Sequence, residues 1–494
     1  KRHPYSSTFK IGIDKNLKIQ AFEAEFLQNS GAAADLSPAI AERTLFHATN
    51  SYFVPNVKTT VHSCKTNLPP NTAFRGFGGP QGMFVIESAI AKVADELKID
   101  KRKIQEVNLL KENDVFSYGQ IATKVEMENS WFAAKEKFEI EKLEKEAQEF
   151  NQNNKNFKKG LSFMPVTFGI SFTNTPMNHA RALVHIYHDG SVGVSTGAVE
   201  MGQSVNTKML QVAYLTLGIS PSKVKLETTN TTRVANTSPS AASATADLNG
   251  KAVLKACNAL IERLTKVAAE LLKVGQSEIS RITFKNDCVF LDNQKTVLTW
   301  EEVVGKAMLK RVALSENAHY STPIIHFDKT KEKGHPFAYH VYGTAITTVT
   351  VDCVRGIYEI DSVKIVHDFG KSMNMGIDMG QVEGALAQGI GWMTLEEIAY
   401  DTNGRLLSNA LSTYKVPDVF SAPKTIEVLP LETQGNEMAI LKSKAVGEPP
   451  LMYGIGVYFA IQQAVKEFNP KYKLKFDAPF TPEKVLIGLY ENSK

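Results

Sequence analysis

The stretch NTAFRGFGGPQG, Asn71 to Gly82, runs directly into GMFVIESAIAKVADEL, Gly82 to Leu97, and the reading of this junction decides the fold. A glycine-rich loop that opens a helix suggests a dinucleotide fingerprint. Here Gly76 and Gly78 are followed by Pro80 and Gln81, where the third glycine of that pattern belongs, so the fingerprint is excluded. What the glycines do is strip side chains from the backbone and let a ligand or a neighbouring chain approach its amides. The apolar residues behind the loop recur at helical spacing, so the loop feeds a helix. Working outward, the first ~60 residues read as strands and loops, with Ile11 to Phe26 alternating around an Asp-Lys-Asn turn. Asp189-Gly190 between ARALVHIY and VGVST predicts a hairpin. A helix is expected over Ser204 to Leu217, stopped by Gly218. A second long helix begins near Ser240 to Ser243 and runs to Leu272. Strands and helices mix without a regular βαβ alternation, and no internal repeat is evident, which points to an α+β fold rather than a doubly wound sheet.

At 494 residues and 43% apolar content, the chain is long enough for two or more domains with sizeable cores. The charged stretch Trp131 to Phe150, ending in NQNNKN, reads as a solvated helix and a surface loop. It places a boundary that divides the chain into residues 1–130 and 131–494. A net charge of +4 from 56 basic and 52 acidic residues creates no strong field toward nucleic acid or an anionic membrane. Cys64, Cys257, Cys288 and Cys353 lie far apart, offer neither a zinc nor an iron–sulfur ligand set, and suit a reducing compartment. No apolar run reaches the ~18 residues of a membrane span, and the start lacks an apolar signal core. A cytoplasmic protein is expected. Neither HExxH nor GxSxG occurs, and Asp368-Phe369-Gly370 lacks the rest of a kinase signature, so it reads as a turn at a strand end.

The other informative segment is KAVGEPP, Lys444 to Pro450. Gly447 permits close backbone approach or positive φ, while Pro449 and Pro450 fix their own φ and push Glu448 out of the helical region. A carboxylate held that way suits general-base work, in which position comes before pKa. By itself the segment is a surface turn. Elsewhere the ordinary readings also stand: Arg43 in AERTLFH as a surface arginine on a helix, and Phe172 beside Thr173 as core packing. Gln203 and Gln381 carry amides that both donate and accept. Ser238 to Ser243 supplies small residues at a helix start, which serve as N-caps and close packing or leave amides free for an anion.

Taken in order, NTAFRGFGGPQG, FGISFT at Phe168 to Thr173, VEMGQ at Val199 to Gln203, SPSAAS at Ser238 to Ser243, GQVEG at Gly380 to Gly384 and KAVGEPP resemble the molybdenum-binding portion of the xanthine dehydrogenase and aldehyde oxidase family. The match runs from RHPYS at Arg2 to FDAPFTPEKV at Phe476 to Val485. The resemblance implies two molybdopterin-binding domains, the first incomplete at its N-terminus, and a molybdenum–molybdopterin cofactor. It implies that Arg75, Gly202, Gln203, Ala242, Ser243 and Gln381 hold the cofactor, with Arg75 and Ala242 beside the metal. Phe77 and Phe172 would hold a planar heterocycle between them, hydrogen-bonded by Thr173. Glu448 would be the general base, and Arg43 would meet negative charge that builds on a purine ring. Because aldehyde oxidases generally lack that arginine, the implied reaction is hydroxylation of hypoxanthine or xanthine toward urate, with water as the oxygen source, in purine catabolism. Alternatives are a hydroxylase for aldehydes or other N-heterocycles, and a catalytically silent scaffold. The 2Fe-2S clusters and FAD of the family are not bound by this chain. Iron–sulfur and FAD subunits or domains, and the missing first part of the molybdenum portion, would be partners in a dimeric complex.

Overall fold

The computed structural model describes residues 2–227, 229–241 and 243–491. Tyr5–Ile13 (β1) and Ile19–Gly31 (β2) fold back on one another around Asp14, whose carboxylate accepts the amides of Asn16 and Lys18 at 2.8 and 3.0 Å. Phe22, Ala24 and Phe26 alternate inward from β2. The expectation of strands and loops alone in this region misses helix α1, Ser37–Phe46, which opens with a proline in its first turn. Asn56–Lys65 (β3) joins β2 in parallel, and Gly79–Leu97 (α2) and Lys101–Val107 (α3) follow. The charged stretch is two helices, Met127–Lys137 (α4) and Ile140–Asn153 (α5), broken at Glu139 with φ 49°. Nor is its face wholly solvated. Trp131 is buried and donates its Nε1 to Glu106 at 2.8 Å.

Beyond it come Phe157–Ile170 (β4) and the predicted hairpin, His179–Ile186 (β5) and Val192–Thr196 (β6). Val205–Leu217 (α6) ends at Gly218 with φ 72°, as the sequence requires. Val224–Leu226 (β7), the 29-residue helix Ala244–Leu272 (α7), a small sheet of Ile282–Lys285 (β8), Cys288–Leu291 (β9) and Gln294–Thr299 (β10), and Trp300–Leu309 (α8) follow. Ser315–Ser321 (β11) completes a sheet of order β11-β5-β6-β7, on which α6 and α7 pack. His326–Asp328 (β12) and Lys333–His335 (β13) form a short ribbon. Tyr339–Asp352 (β14), Ile357–His367 (β15), Met375–Thr394 (α9), Thr425–Pro430 (β16), Ile455–Phe468 (α10) and Pro482–Tyr490 (α11) complete the chain. The central sheet has the order β16-β15-β14-β4, so β4 is an edge strand.

That edge is sealed by side chains rather than by another strand. Asn151 pairs both ways with the backbone of Lys159, and Gln463 accepts the amide of Leu161 at 2.7 Å. Gln105 and Asn50 donate to the carbonyls of Phe163 and Pro165, and His47 accepts the amide of Gly169 at 3.0 Å. Arg43 ends the row on the carbonyls of Gly169 and Ser171. Arg43 and His47 stand four residues apart, which puts both on one face of α1 and its cap. The fully buried Glu87 carboxylate fixes Asn50 and Gln105 at 3.1 and 3.0 Å, and it also takes the hydroxyl of Tyr52 and the ammonium of Lys101. The amino-terminal region is thereby docked on the central sheet by polar caps, each satisfying a backbone group that burial would otherwise leave costly.

Candidate active site

Gly76, Phe77 and Gly78 have φ of 90°, 50° and 93°, three left-handed residues in succession. At Gly78 the requirement is also steric, since a Cβ there would lie 2.2 Å from the Ile40 carbonyl oxygen. Phe77 is the one residue of the three with a side chain, held half-buried in a conformation that L-residues rarely adopt. From the same loop Arg75 reaches across the molecule. Its Nε donates to the Gly447 carbonyl, its Nη1 to Gln388 at 3.2 Å, and its Nη2 to the Gln381 side chain and carbonyl at 3.0 and 3.3 Å. Burial pushes this guanidinium down to about 10, and the charge of Glu448 partly restores it.

Glu448 does not sit where its prolines were expected to put it. It has φ −117° and ψ −44°, inside the helical range, as the cap of a 3₁₀ turn over Pro449–Gly454. The Leu451 amide closes that turn on the Glu448 carbonyl at 3.1 Å, and prolines in the first turn forfeit no hydrogen bond. Gly447 is not left-handed; it contributes the carbonyl that Arg75 grips. Below the loop, Lys444 is anchored to the Asp368 carboxylate and to the His340 carbonyl at 3.0 Å, and its amide donates to Phe369. Asp368 also accepts from Thr433 at 2.9 Å and the Gly370 amide at 3.1 Å. Asp-Phe-Gly follows the end of β15 directly, with Gly370 bridged to Ser443, and sequence reasoning missed its buried carboxylate. Burial, then the nearby Lys444 charge, push His340 and His367 down to about 3, so both imidazoles are neutral.

Arg43 lies on a helix, as its ordinary reading has it, but is only 4% exposed. Its guanidinium lies 5.0 Å from the Phe168 ring centre and 5.3 Å from that of Phe337. Two of its nitrogens are held by the β4 carbonyls, and Nε is buried with no hydrogen-bond partner among the described residues. Burial lowers its pKa, and Glu448 is the foremost charge opposing that shift. Phe172 is half-buried against the core of α6 and α7, its backbone gripped from both sides by the Asn178 amide at 2.8 and 2.9 Å. The neighbouring Thr173 is buried.

Ser243, Gln203, Gln381, Lys208, Asp247 and Gly447 line one narrow cleft. Ser243 begins α7 without capping it, and its hydroxyl is buried with no partner among the described residues. Lys208 pairs with the buried Asp378 at 2.7 Å, tying α6 to α9. A Cβ on Gly380 or Gly384 would meet nothing, so the side of α9 carrying them is open. Asp247 accepts from Tyr339 at 2.7 Å and from the Ile440 amide at 2.9 Å, and burial raises it to about 6. Gln203 lines the cleft but turns its amide back, donating to the Val199 carbonyl at 2.9 Å. Gly202, with φ 90°, is exposed in the same turn. The sequence reading missed Glu200, which takes the amides of Gly202, Ser204 and Asn206; an acidic residue just ahead of a helix was the available signal. Ala242 lies outside the described residues. An uncapped helix start, an orphaned hydroxyl and the nearby Arg75 cation together fit an anionic, phosphate-bearing cofactor. Among the described residues no group of three His, Cys, Asp or Glu is placed to hold a metal ion, so a metal here depends on ligands the cofactor brings.

An α+β fold with a polar cleft between long helices suits a cofactor-binding protein. Residues 1–109 and 133–423 each match a molybdopterin cofactor-binding domain, and the chain belongs to that family. It is 40% identical over 491 residues to the xanthine dehydrogenase/oxidase of Felis catus, a match covering 98% of this chain and 35% of that protein. It is 37% identical over 501 residues to xanthine dehydrogenase 1 of Arabidopsis thaliana, covering 99% of this chain and 35% of that one. The chain thus spans about a third of the length of these curated relatives. Among solved structures, the quinoline 2-oxidoreductase of Pseudomonas putida 86 superposes with a TM-score of 0.87 at 21% identity, over 99% of this chain and 62% of that one. The aldehyde oxidoreductase of Desulfovibrio desulfuricans gives 0.82 at 23% identity, over 99% and 49%. At these identities the two structures speak for the fold.

Proposed function

We propose that this chain is the catalytic molybdenum-binding portion of a xanthine dehydrogenase-type hydroxylase that acts on a purine. The observation that carries the reading is the loop that ends in Glu448, whose Gly447 carbonyl is gripped by Arg75 and whose residues Ser443 to Gly447 border the cofactor cleft. Ser243, Gln381 and Arg75 would hold the cofactor, joined by Gln203 after its amide swings outward, and by Gly202 and Ala242. When bound, the molybdenum group activates water and takes up two electrons. The protein's share is positional. Glu448 receives a proton at its carboxylate, and Arg75 fixes the peptide just before it. Arg43, with one nitrogen unclaimed, meets charge that builds on the substrate ring, and Phe77, Phe172 and Thr173 orient the flat heterocycle. Iron–sulfur and FAD centres belong to polypeptide outside this chain, whose cysteines are four separate free thiols; a cytoplasmic setting accords with those thiols. The division between residues 130 and 131 is part of the proposal, supported by family matches lying to either side.

Two measurements test it. Metal analysis of the native complex should give molybdenum near one atom per chain, and its absence sinks the enzymatic reading. In the same complex Glu448→Gln should lower turnover by ~10² to 10⁴ with cofactor content unchanged. Retention of more than about a tenth of the activity removes Glu448 as the base.

A further inference from the structure

Residues 440–445 run into the loop that ends in Glu448, and their backbone is held in an unusual shape. Leu441 and Lys442 have φ of 49° and 61°, two successive left-handed residues, neither of them glycine. Such a conformation persists only where its surroundings over-determine it. The Ser443 hydroxyl and amide close the turn on the Ile440 carbonyl at 2.7 and 3.0 Å. Ile440 itself is buried against α7, where a Cβ on Gly250 would lie 2.8 Å from its side chain.

One carboxylate of α7 reaches both ends of this turn. Asp247 Oδ1 accepts the Ile440 amide at 2.9 Å. Its Oδ2 accepts the Tyr339 hydroxyl at 2.7 Å, and that hydroxyl oxygen accepts the Ala445 amide at 3.1 Å. Asp247 therefore holds the first residue of the turn directly and the last through Tyr339. It stands one helical turn after Ser243, so it joins the start of α7 that lines the cleft to the loop that carries Glu448. The order of donors demands an acid. A hydroxyl has one proton, and giving it to Asp247 leaves the oxygen's lone pairs to the Ala445 amide. Asparagine has a single acceptor oxygen, so it would serve the Ile440 amide or the Tyr339 hydroxyl and turn N–H groups toward the other.

We propose that Asp247 and Tyr339 are positioning residues, which clamp both ends of the turn over residues 440–445 and so set Glu448 in register with the helix start that receives the cofactor, a role that rests on the reading of Glu448 as the base. A reacting group displaced by about 1 Å loses on the order of a hundredfold in rate, so a clamp three residues ahead of the base bears on turnover without touching substrate.

Hydrogen exchange in the native complex without substrate, read by mass spectrometry, tests the clamp itself. In Tyr339→Phe and in Asp247→Asn, a peptide spanning residues 440–447 should exchange at least about fivefold faster than in wild type, while peptides of α10 keep their rate. Unchanged exchange in the turn overturns the proposal. So does equal acceleration in α10, which marks general loosening. Each single variant should also lower kcat by about 10- to 100-fold, with KM within about twofold and cofactor content at the wild-type level. A kcat within about twofold of wild type refutes the role. The double variant should lose no more than the worse single one, and Tyr339→Phe added to Glu448→Gln should cost less than about twofold, since the group it positions is gone. Losses that multiply in either pair refute the assignment. Exchange requires neither molybdenum nor turnover, so failure of the clamp is distinguishable from failure of Glu448 as the base.

Discussion

Lys444 and Asp368 carry side chains only 3% and 0% exposed beneath the loop that ends in Glu448, and removing either one leaves an uncompensated buried charge. Lys444→Met strands the Asp368 carboxylate, which keeps only Thr433 and the Gly370 amide. Asp368→Asn strands the ammonium, which keeps only the His340 carbonyl. Breaking a buried pair from one side costs about 3 to 5 kcal/mol. A 494-residue chain has an unfolding entropy of roughly 1 kcal/mol/K, so each single change should lower Tm by about 3 to 5 °C. The double variant removes both charges while Asn still accepts from Thr433 and Gly370, and it should recover most of the loss. The assay is calorimetry of all four proteins in the native complex. Single-variant shifts below about 1 °C, or losses that simply add in the double variant, would refute the claim that this pair anchors the loop.

Three further outcomes are expected. Arg43→Met should lower kcat/KM for xanthine relative to a benzaldehyde by about a hundredfold or more, as for loss of one preorganised donor; an unchanged ratio shows that Arg43 does not face the substrate. Asp247, raised to about 6 in the folded chain, contributes stability that is full below about pH 4 and is lost as pH rises through 6. Asp247→Asn should therefore gain roughly 3 kcal/mol on wild type between pH 4 and 7, and a pH-independent difference in urea unfolding contradicts the assignment. Gly78→Ala, meeting the Ile40 carbonyl at 2.2 Å from a left-handed backbone, should prevent accumulation of folded protein. Normal yield and Tm would show that the loop can be built another way.

What was legible in the sequence is what local chemistry dictates. The glycine loop feeding α2, the Asp189-Gly190 hairpin, and Gly218 ending α6 each follow from φ preferences within a few residues. Helix α1 was harder, because a ten-residue helix between strands has too few turns for its period to stand out. Trp131 was assigned to a solvated helix since charge surrounds it, and only packing against Phe163 shows it buried. In the candidate site, Ser243, Gln381 and Gly447 line one cleft, and Arg75 bonds the Gln381 side chain and the Gly447 carbonyl. Their grouping spans more than 300 residues of chain and has no local signature. Glu448 was misplaced in φ/ψ because the rule for a residue before proline was applied without the turn that follows it. Lys444 with Asp368, and the Glu87 cluster, were invisible for the same reason as the cleft: their partners lie far off in sequence.

The sealed border of β4 has a consequence for how the polypeptide is made. Four of its six sealing residues, Arg43, His47, Asn50 and Gln105, leave the ribosome before the strand does, and Asn151 emerges just ahead of it. A chain growing from its amino terminus therefore has most of the seal synthesised before the vulnerable backbone appears, and only Gln463 arrives late. Reversing that schedule, by circular permutation that moves residues 2–130 to the carboxyl end, would leave only Asn151 of the seal ahead of the strand through most of synthesis. Neighbouring nascent chains on the same message would then compete for it, and the permuted protein should precipitate although every contact of its finished structure is preserved.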